Sequence, residues 1–115
     1  MEAYQTSDQR HPRVRLTALP SPLQRAARLE ASLRSDGATP PRVYIKRDDL
    51  LSLAFGGNKI RNLEFALGAA VAAGATDVIT GGRVQSNHCR LTAAACANLG
   101  LRAHLVLSGT EPAVA

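Results

Sequence analysis

Apolar residues recur at helical spacing over two long stretches of this chain. The first stretch runs from about 58 to 73 and the second from about 86 to 99, each with polar residues on the remaining faces. A glycine follows each stretch, Gly74 and Gly100, and glycine often ends a helix. Asn58 begins the first stretch and is of a residue type that caps helix N-termini. The pattern therefore predicts two long helices.

Shorter apolar runs predict three strands, 42–46, 77–80 and 102–107, and a further helix from Pro22 to about Arg34. From residue 42 the predicted order is strand, helix, strand, helix, strand. Crossovers this short favour parallel strands with helices on their faces, which is an α/β layer. Gly81-Gly82 is expected to break the second strand. Three parallel strands without a closing helix leave an exposed edge, so we expect a truncated or partial chain.

The segment 1–16 is polar and rich in arginine. This composition is typical of a flexible N-terminal arm, with disorder and docking on a partner subunit as the alternatives. We expect 17–115 to form one folded unit, because 115 residues suffice for one small domain and not for two.

Charge and composition narrow the classes of function. The net charge is +5, which raises the question of nucleic-acid binding, but the arginines form no basic run and aromatic residues make up only 3% of the chain. We therefore expect no nucleic-acid partner, and a small ligand that carries phosphate would use the positive charge equally well. No apolar stretch is long enough to span a membrane and no signal peptide is evident, which predicts a cytoplasmic protein without a membrane partner. Cys89 and Cys96 lie too far apart on one helix for a disulfide and are expected to be reduced and buried. No metal-ligand spacing is present.

Lys59 is the first candidate for chemistry. It follows Gly56-Gly57 directly after Asn58, at the predicted start of a helix, where the backbone carries partial positive charge. Such a setting favours the neutral amine, which is the form that attacks a carbonyl group. The alternative is an ordinary lysine that points to solvent.

A second candidate site follows the strand 77–80, in the segment 81–88. The free N–H groups of a helix start, the hydroxyl of Ser86 and the amide of Asn87 together suit a carboxylate or a phosphate. Simple helix capping is the alternative. Because both glycine pairs follow strands of the same predicted sheet, we expect both segments to open on one cleft.

Other polar residues carry weaker signals. His88 and Cys89 are neighbours on a helix and point in different directions, so a nucleophilic pair is not expected. His104 lies in an apolar strand and is expected to be satisfied or half-exposed. Asp48 and Asp49 are adjacent and should face opposite ways, bonding to N–H groups of the loop rather than acting as paired carboxylates.

Three ordered motifs together resemble a known family. They are Ile45-Lys46-Arg47-Asp48-Asp49-Leu50, the segment 56–65 and Gln85-Ser86-Asn87-His88, and the resemblance covers about 17 to 110. The family is that of D-cysteine desulfhydrase and 1-aminocyclopropane-1-carboxylate deaminase, within the tryptophan-synthase-β-like enzymes that use pyridoxal 5′-phosphate. The resemblance implies an α/β fold with a three-layer open sheet, here incomplete, and identifies 17–115 as the N-terminal part of the enzyme domain.

The resemblance also implies roles for individual residues. Lys59 would carry the cofactor covalently, with Asn58 and Asn87 also in the cofactor site and Asn87 beside the 3′-oxygen. Ser86, Asn87 and His88 would bind the substrate, Ser86 at its carboxylate, and Lys59 and Ser86 would be the catalytic residues. The phosphate-binding loop and the partner of the pyridine nitrogen lie further along in the family than 115 residues reach.

The implied activity is that of a lyase or deaminase of a small amino acid. His88 stands where deaminases of the cyclopropane acid usually have glutamine, which favours a D-cysteine desulfhydrase-like reaction that gives an α-keto acid and ammonia. The alternatives are 1-aminocyclopropane-1-carboxylate deaminase and a non-catalytic, truncated α/β module. The family also implies a homodimer for the full-length form.

Overall fold

The part of the chain that the structure describes folds into two long helices, one short helix and two small sheets. The computed structural model describes residues 11–34 and 38–110. In chain order the elements are β1 (Leu23–Arg25), α1 (Ala27–Ser32), β2 (Tyr44–Lys46), α2 (Lys59–Ala72), β3 (Asp77–Arg83), α3 (Asn87–Leu99) and β4 (Arg102–Ser108). Two single 3₁₀ turns, Asp48–Leu50 and Leu53–Phe55, join β2 to α2.

The two long helices are confirmed. Gly74 follows α2 and Gly100 caps α3, both with positive φ, as their position after an apolar periodic stretch predicts. The apolar faces of α2 and α3 pack against each other and form the centre of the core. The fully buried side chains at this contact include Ile60, Leu91 and Cys96.

The first sheet corrects two predictions. β1 pairs with β2 in antiparallel register, Leu23 opposite Lys46, so the predicted helix from Pro22 to Arg34 shrinks to α1. The buried carboxylate of Glu30 explains this arrangement, because it accepts hydrogen bonds from the Arg25 guanidinium in β1 and from the Val43 N–H beside β2. β2 is therefore not the third strand of one parallel sheet, and that prediction was wrong.

The second sheet contains the predicted parallel pair. β3 and β4 align from Asp77 opposite Arg102 to Arg83 opposite Ser108, with α3 as the crossover. Gly81-Gly82 lies inside β3 and does not break it, which corrects the predicted strand end. α3 packs on one face of this sheet. On the other face Ile79 is 76% and Val106 is 66% exposed.

The segment that precedes β1 packs on α2. Val14 and Leu16 are buried in the core, and the Glu64 carboxylate, 1% exposed, accepts hydrogen bonds from the Arg13 guanidinium and from the Leu16 N–H. Gly68 leaves room for this approach, because a Cβ there would lie 2.5 Å from the Pro12 carbonyl oxygen. Val14 and Leu16 of the expected flexible arm therefore belong to the core, and its residues 1–10 lie outside the described part of the chain.

Both cysteines are free and buried, as predicted. Within the described ranges, no helix combines the length and the apolar character that crossing a membrane requires.

Candidate active site

The turn before α2 has an unusual backbone. Ala54, Phe55, Gly56 and Gly57 are four successive residues with positive φ, at 41°, 66°, 69° and 125°. Such conformations cost free energy for residues that carry a Cβ and persist only where the surrounding structure holds them. Only glycine fits at position 56, because a Cβ there would lie 2.5 Å from the Asp49 carbonyl oxygen and 2.8 Å from that of Leu51.

Lys59 is the first residue of α2 and is exposed. Among the described residues, none forms a hydrogen bond or an ion pair with its amine. Asn58 occupies the N-cap position in its backbone, but its side chain makes no capping hydrogen bond, so the predicted capping role of that side chain is wrong. The amine of Lys59 and the amide of Asn58 are thus both available to a ligand.

The acidic pair before the turn binds arginines. The Asp48 carboxylate accepts two hydrogen bonds from the Arg61 guanidinium, each 2.7 Å long, and a third from the Ser21 hydroxyl. Asp49 accepts from Arg47. The prediction that these carboxylates bond to loop N–H groups was therefore wrong for Asp48, whereas the pKa of the Asp49 carboxyl is lowered first by Arg47 and also by a backbone N–H of the loop. The prediction that the two side chains point in different directions was right, since only Asp48 faces α2.

The start of α3 presents a second set of polar groups. The Ser86 hydroxyl caps the helix by accepting from the Cys89 N–H at 3.2 Å, and the exposed Asn87 accepts through Oδ1 from Arg90 at 3.2 Å. His88 shares a 2.9 Å hydrogen bond between its Nε2 and the Thr80 hydroxyl on β3. In the described part of the chain, the N–H groups of Asn87 and His88 have no acceptor.

Packing brings these two segments onto neighbouring elements. α2 and the 3₁₀ turn Leu53–Phe55 both contact α3, and a Cβ at Gly57 would lie 3.5 Å from the Leu91 side chain of α3. The glycine turn before Lys59 therefore rests on the helix that Ser86 begins. The premise that both segments follow strands of one sheet was wrong, because β2 and β3 belong to different sheets. One cleft between the two segments stays a prediction.

Comparison with known proteins decides the family. Residues 14–114 match the family model described as pyridoxal-phosphate dependent enzyme. The chain belongs to this family. The predicted resemblance and fold class are thereby confirmed.

Two relatives and one solved structure show how similar this chain is to other proteins in sequence and in fold. A protein of Pyrococcus abyssi, provisionally named 1-aminocyclopropane-1-carboxylate deaminase, is 48% identical over 89% of this chain and 29% of its own length. D-cysteine desulfhydrase of Salmonella paratyphi B is 47% identical over 80% of this chain and 26% of its own length. A crystal structure described as an ACC deaminase homologue superposes with a TM-score of 0.78 and 48% identity, covering 89% of this chain and 30% of that one. The chain thus spans less than a third of the length of the curated relatives it matches.

The groups described above fit part of what pyridoxal phosphate requires. The cofactor has an aldehyde, which needs an unpaired amine, and anionic oxygens, which need N–H or O–H donors. Lys59 offers the amine, and the start of α3 offers free backbone N–H groups and the amide of Asn87.

Sequence reasoning found the lysine and the helix start but missed the groups that hold the turn between them. Arg61 and Ser21 were not singled out, although Arg61 lies two residues after Lys59 within the second motif. The sequence did show an arginine, Arg61, in the first turn of α2 and an acid, Asp48, in the first motif. Their direct pairing depends on how the turn folds back, and the spacing alone does not give that.

Proposed function

We propose that this chain carries the lysine and the substrate-binding helix start of a pyridoxal-phosphate-dependent lyase that acts on a small amino acid. The observation that carries the proposal is the exposed amine of Lys59, which has no partner within residues 11–34 and 38–110. It lies at the start of α2, which packs beside α3. The names of the relatives support the substrate class.

Each group has a role that follows from its chemistry. Lys59 would hold the cofactor, which when bound serves as a sink for the electrons released at the substrate Cα. The Asn87 amide would donate to its 3′-oxygen, since Oδ1 already accepts from Arg90 and the NH₂ group remains. The N–H groups at the start of α3 and the Ser86 hydroxyl would bind the substrate carboxylate, where the helix dipole favours negative charge.

Lys59 has a second task as a base. Once its amine is free, it can accept the proton from the substrate Cα, which begins elimination of a group on Cβ. For D-cysteine, loss of hydrogen sulfide and addition of water then give pyruvate and ammonia. The sulfur leaves with the electron pair of its bond to Cβ.

1-Aminocyclopropane-1-carboxylate is the second candidate substrate, favoured by the name of the Pyrococcus abyssi relative. This acid has no proton on Cα, so Lys59 would have none to remove there. His88, where the cyclopropane deaminases usually have glutamine, favours D-cysteine.

The experiment exploits the fact that the chain has only two lysines, Lys46 and Lys59. Wild-type chain, Lys59→Arg and Lys46→Arg are each incubated with pyridoxal phosphate, reduced with borohydride and digested for mass spectrometry. Lys46 is the matched control because its amine already donates to the Ser21 carbonyl oxygen. We expect the label on Lys59 in wild type and in Lys46→Arg. Equal labelling of both lysines, or none at Lys59, would refute the assignment.

Substrate choice is measured on the same samples. Free cofactor is removed first, because both enantiomers of cysteine form a thiazolidine with it in solution. D-Cysteine bound at the site should then lower the labelling of Lys59 more than L-cysteine does, and bound 1-aminocyclopropane-1-carboxylate should lower it relative to no addition. Pyruvate formed from D-cysteine and abolished in Lys59→Arg supports the desulfhydrase-like reaction. A 2-oxo acid formed only from the cyclopropane acid favours the second candidate. Protection by none of the three supports a non-catalytic module.

A further inference from the structure

We propose that Asp48 is a positioning residue for Lys59, because it binds the chain on both sides of the lysine. The role of Lys59 itself rests on the proposed function. The Asp48 carboxylate binds Arg61, two residues after Lys59, through hydrogen bonds of 2.7 Å from both Nε and one terminal nitrogen. The backbone carbonyl oxygen of Asp48 accepts from the N–H of Gly57, two residues before Lys59, at 2.8 Å.

Ser21 completes this group, which we name the Asp48 network: Asp48, Arg61 and Ser21. The buried Ser21 hydroxyl donates to Asp48 at 2.7 Å and accepts from Arg61 at 3.0 Å. Hydrogen bonds from Arg61 and Ser21 lower the pKa of the Asp48 carboxyl to about 2, so it stays charged. A bidentate pair with a third partner fixes direction as well as distance.

The turn needs such a restraint. Two of its four residues with positive φ lie against the backbone of 48–51, since Gly57 donates to the Asp48 carbonyl oxygen and Gly56 has no room for a side chain. Lys59 has no partner among the described residues, so its location follows from the backbone on either side. Asp48 fixes that backbone at both ends, and a looser turn would spread the amine over many positions.

The neighbouring pair Arg47–Asp49 supplies a matched control. Arg47 also binds a carboxylate through Nε and one terminal nitrogen, at 2.9 and 2.7 Å. The Asp49 side chain is 60% exposed, however, against 17% for Asp48. Its side-chain partner is Arg47, two residues away, and not a residue of α2. Asp48→Asn and Asp49→Asn therefore remove the same charge one residue apart.

The experiment has two readouts. The first is the hydrogen-exchange rate of the Gly57 amide in the unliganded chain, which we expect to rise about tenfold in Asp48→Asn and to stay within about twofold in Asp49→Asn. The second is borohydride-trapped pyridoxal phosphate at Lys59 per mole of chain, which we expect to fall about tenfold in Asp48→Asn and to stay within about twofold in Asp49→Asn. Arg61→Lys, which keeps the charge but loses the bidentate geometry, should follow Asp48→Asn, and Arg47→Lys should follow wild type.

Two controls separate positioning from stability. Amide exchange within α3 reports whether a variant is folded. Asp77→Asn removes an ion pair between β3 and β4 and no contact of the turn, and it should leave the labelling of Lys59 unchanged.

The outcomes are distinguishable. Equal effects of Asp48→Asn and Asp49→Asn, or unchanged Gly57 exchange with unchanged labelling in Asp48→Asn, would overturn the positioning role while leaving Lys59 as the reactive amine. Absence of label at Lys59 in the wild-type chain would refute the proposed function, and Gly57 exchange would still decide whether Asp48 holds the turn.

Discussion

The two glycine pairs of this chain precede its two long helices, yet the structure uses them differently. Gly56 and Gly57 both have positive φ and form the turn into α2. Gly81 and Gly82 lie within β3, and neither has a positive φ. At Gly82 the absence of a side chain makes room, because a Cβ would lie 2.8 Å from both Cys89 Sγ and Ser86 Oγ.

The same dipeptide thus meets two physical needs. Before α2 the need is a backbone conformation, which the Asp48 network and the carbonyl groups of 48–51 hold in place. Before α3 it is close approach of a helix start to a strand, which brings Ser86 and His88 against β3. Substitutions can test whether these needs are separate, and we give them from the largest expected effect to the smallest.

Gly56→Ala should have the largest effect. It combines a positive φ with contacts of 2.5 and 2.8 Å to carbonyl oxygens, so we expect the free energy of unfolding to fall by about 3 kcal/mol or more. Gly74→Ala is the control, because its φ is also positive and nothing lies within 4 Å, and should cost only about 1 kcal/mol. Urea unfolding followed by circular dichroism measures both. Equal costs would mean that crowding at Gly56 is relieved by a shift of the turn.

Gly82→Ala should destabilise by about 2 kcal/mol through crowding alone, since its φ is not positive. Gly81→Ala should cost less than about 1 kcal/mol, because the atom nearest to the added Cβ, the Val106 carbonyl oxygen, would be 3.4 Å away. Thermal unfolding of the two variants gives the comparison. A larger loss in Gly81→Ala would contradict our account of the second pair.

Acid should weaken the turn before α2 through Asp48. Its pKa in the folded chain, about 2, lies below the ordinary value of 3.8, so its contribution is complete above about pH 4 and is lost as the pH falls towards 2. The partly solvated network should contribute on the order of 1 to 2 kcal/mol. Urea unfolding of wild type and Asp48→Asn should therefore differ at about pH 6 and converge at about pH 2. A constant difference would show that this carboxylate does not titrate with folding.

Substitutions at the two helix starts should have the smallest effects. Ser86→Ala removes a capping hydrogen bond and should cost about 1 kcal/mol, whereas Asn58→Ala removes none and should cost less than about 0.5 kcal/mol. Ser86→Asp, which can still cap, should restore most of the loss. Melting temperatures of the three variants check this, and a cost at Asn58 equal to that at Ser86 would contradict the structure.

Local signals were enough to predict α2, α3 and the β3–β4 pair. Each long helix shows several turns of apolar periodicity and a glycine at its end, and α3 makes the short crossover that a parallel pair needs. β2 was predicted as a strand, but β1 is only three residues long, and its apolar residues were mistaken for the start of a helix. Their pairing depends on Glu30, whose partners in β1 and beside β2 are brought together only by folding.

In the candidate site, too, local signals predicted some residues and missed others. Lys59 and Ser86 were predicted because each follows a glycine pair at the start of a periodic stretch. Asp48 was misassigned because its partners, Ser21 and Arg61, lie 27 and 13 residues away, and no local rule relates residues at those separations. The roles of Lys59, Asn58, Ser86, Asn87 and His88 toward a ligand stay predictions.

The contact between Arg13 and Glu64 has a consequence for biosynthesis. The two residues are 51 positions apart, so a ribosome that adds about 5 to 20 residues per second needs roughly 3 to 10 s to make the second after the first. During that interval Val14 and Leu16 have no α2 to pack against. Their apolar side chains are therefore open to other nascent chains and to chaperones until α2 has been made.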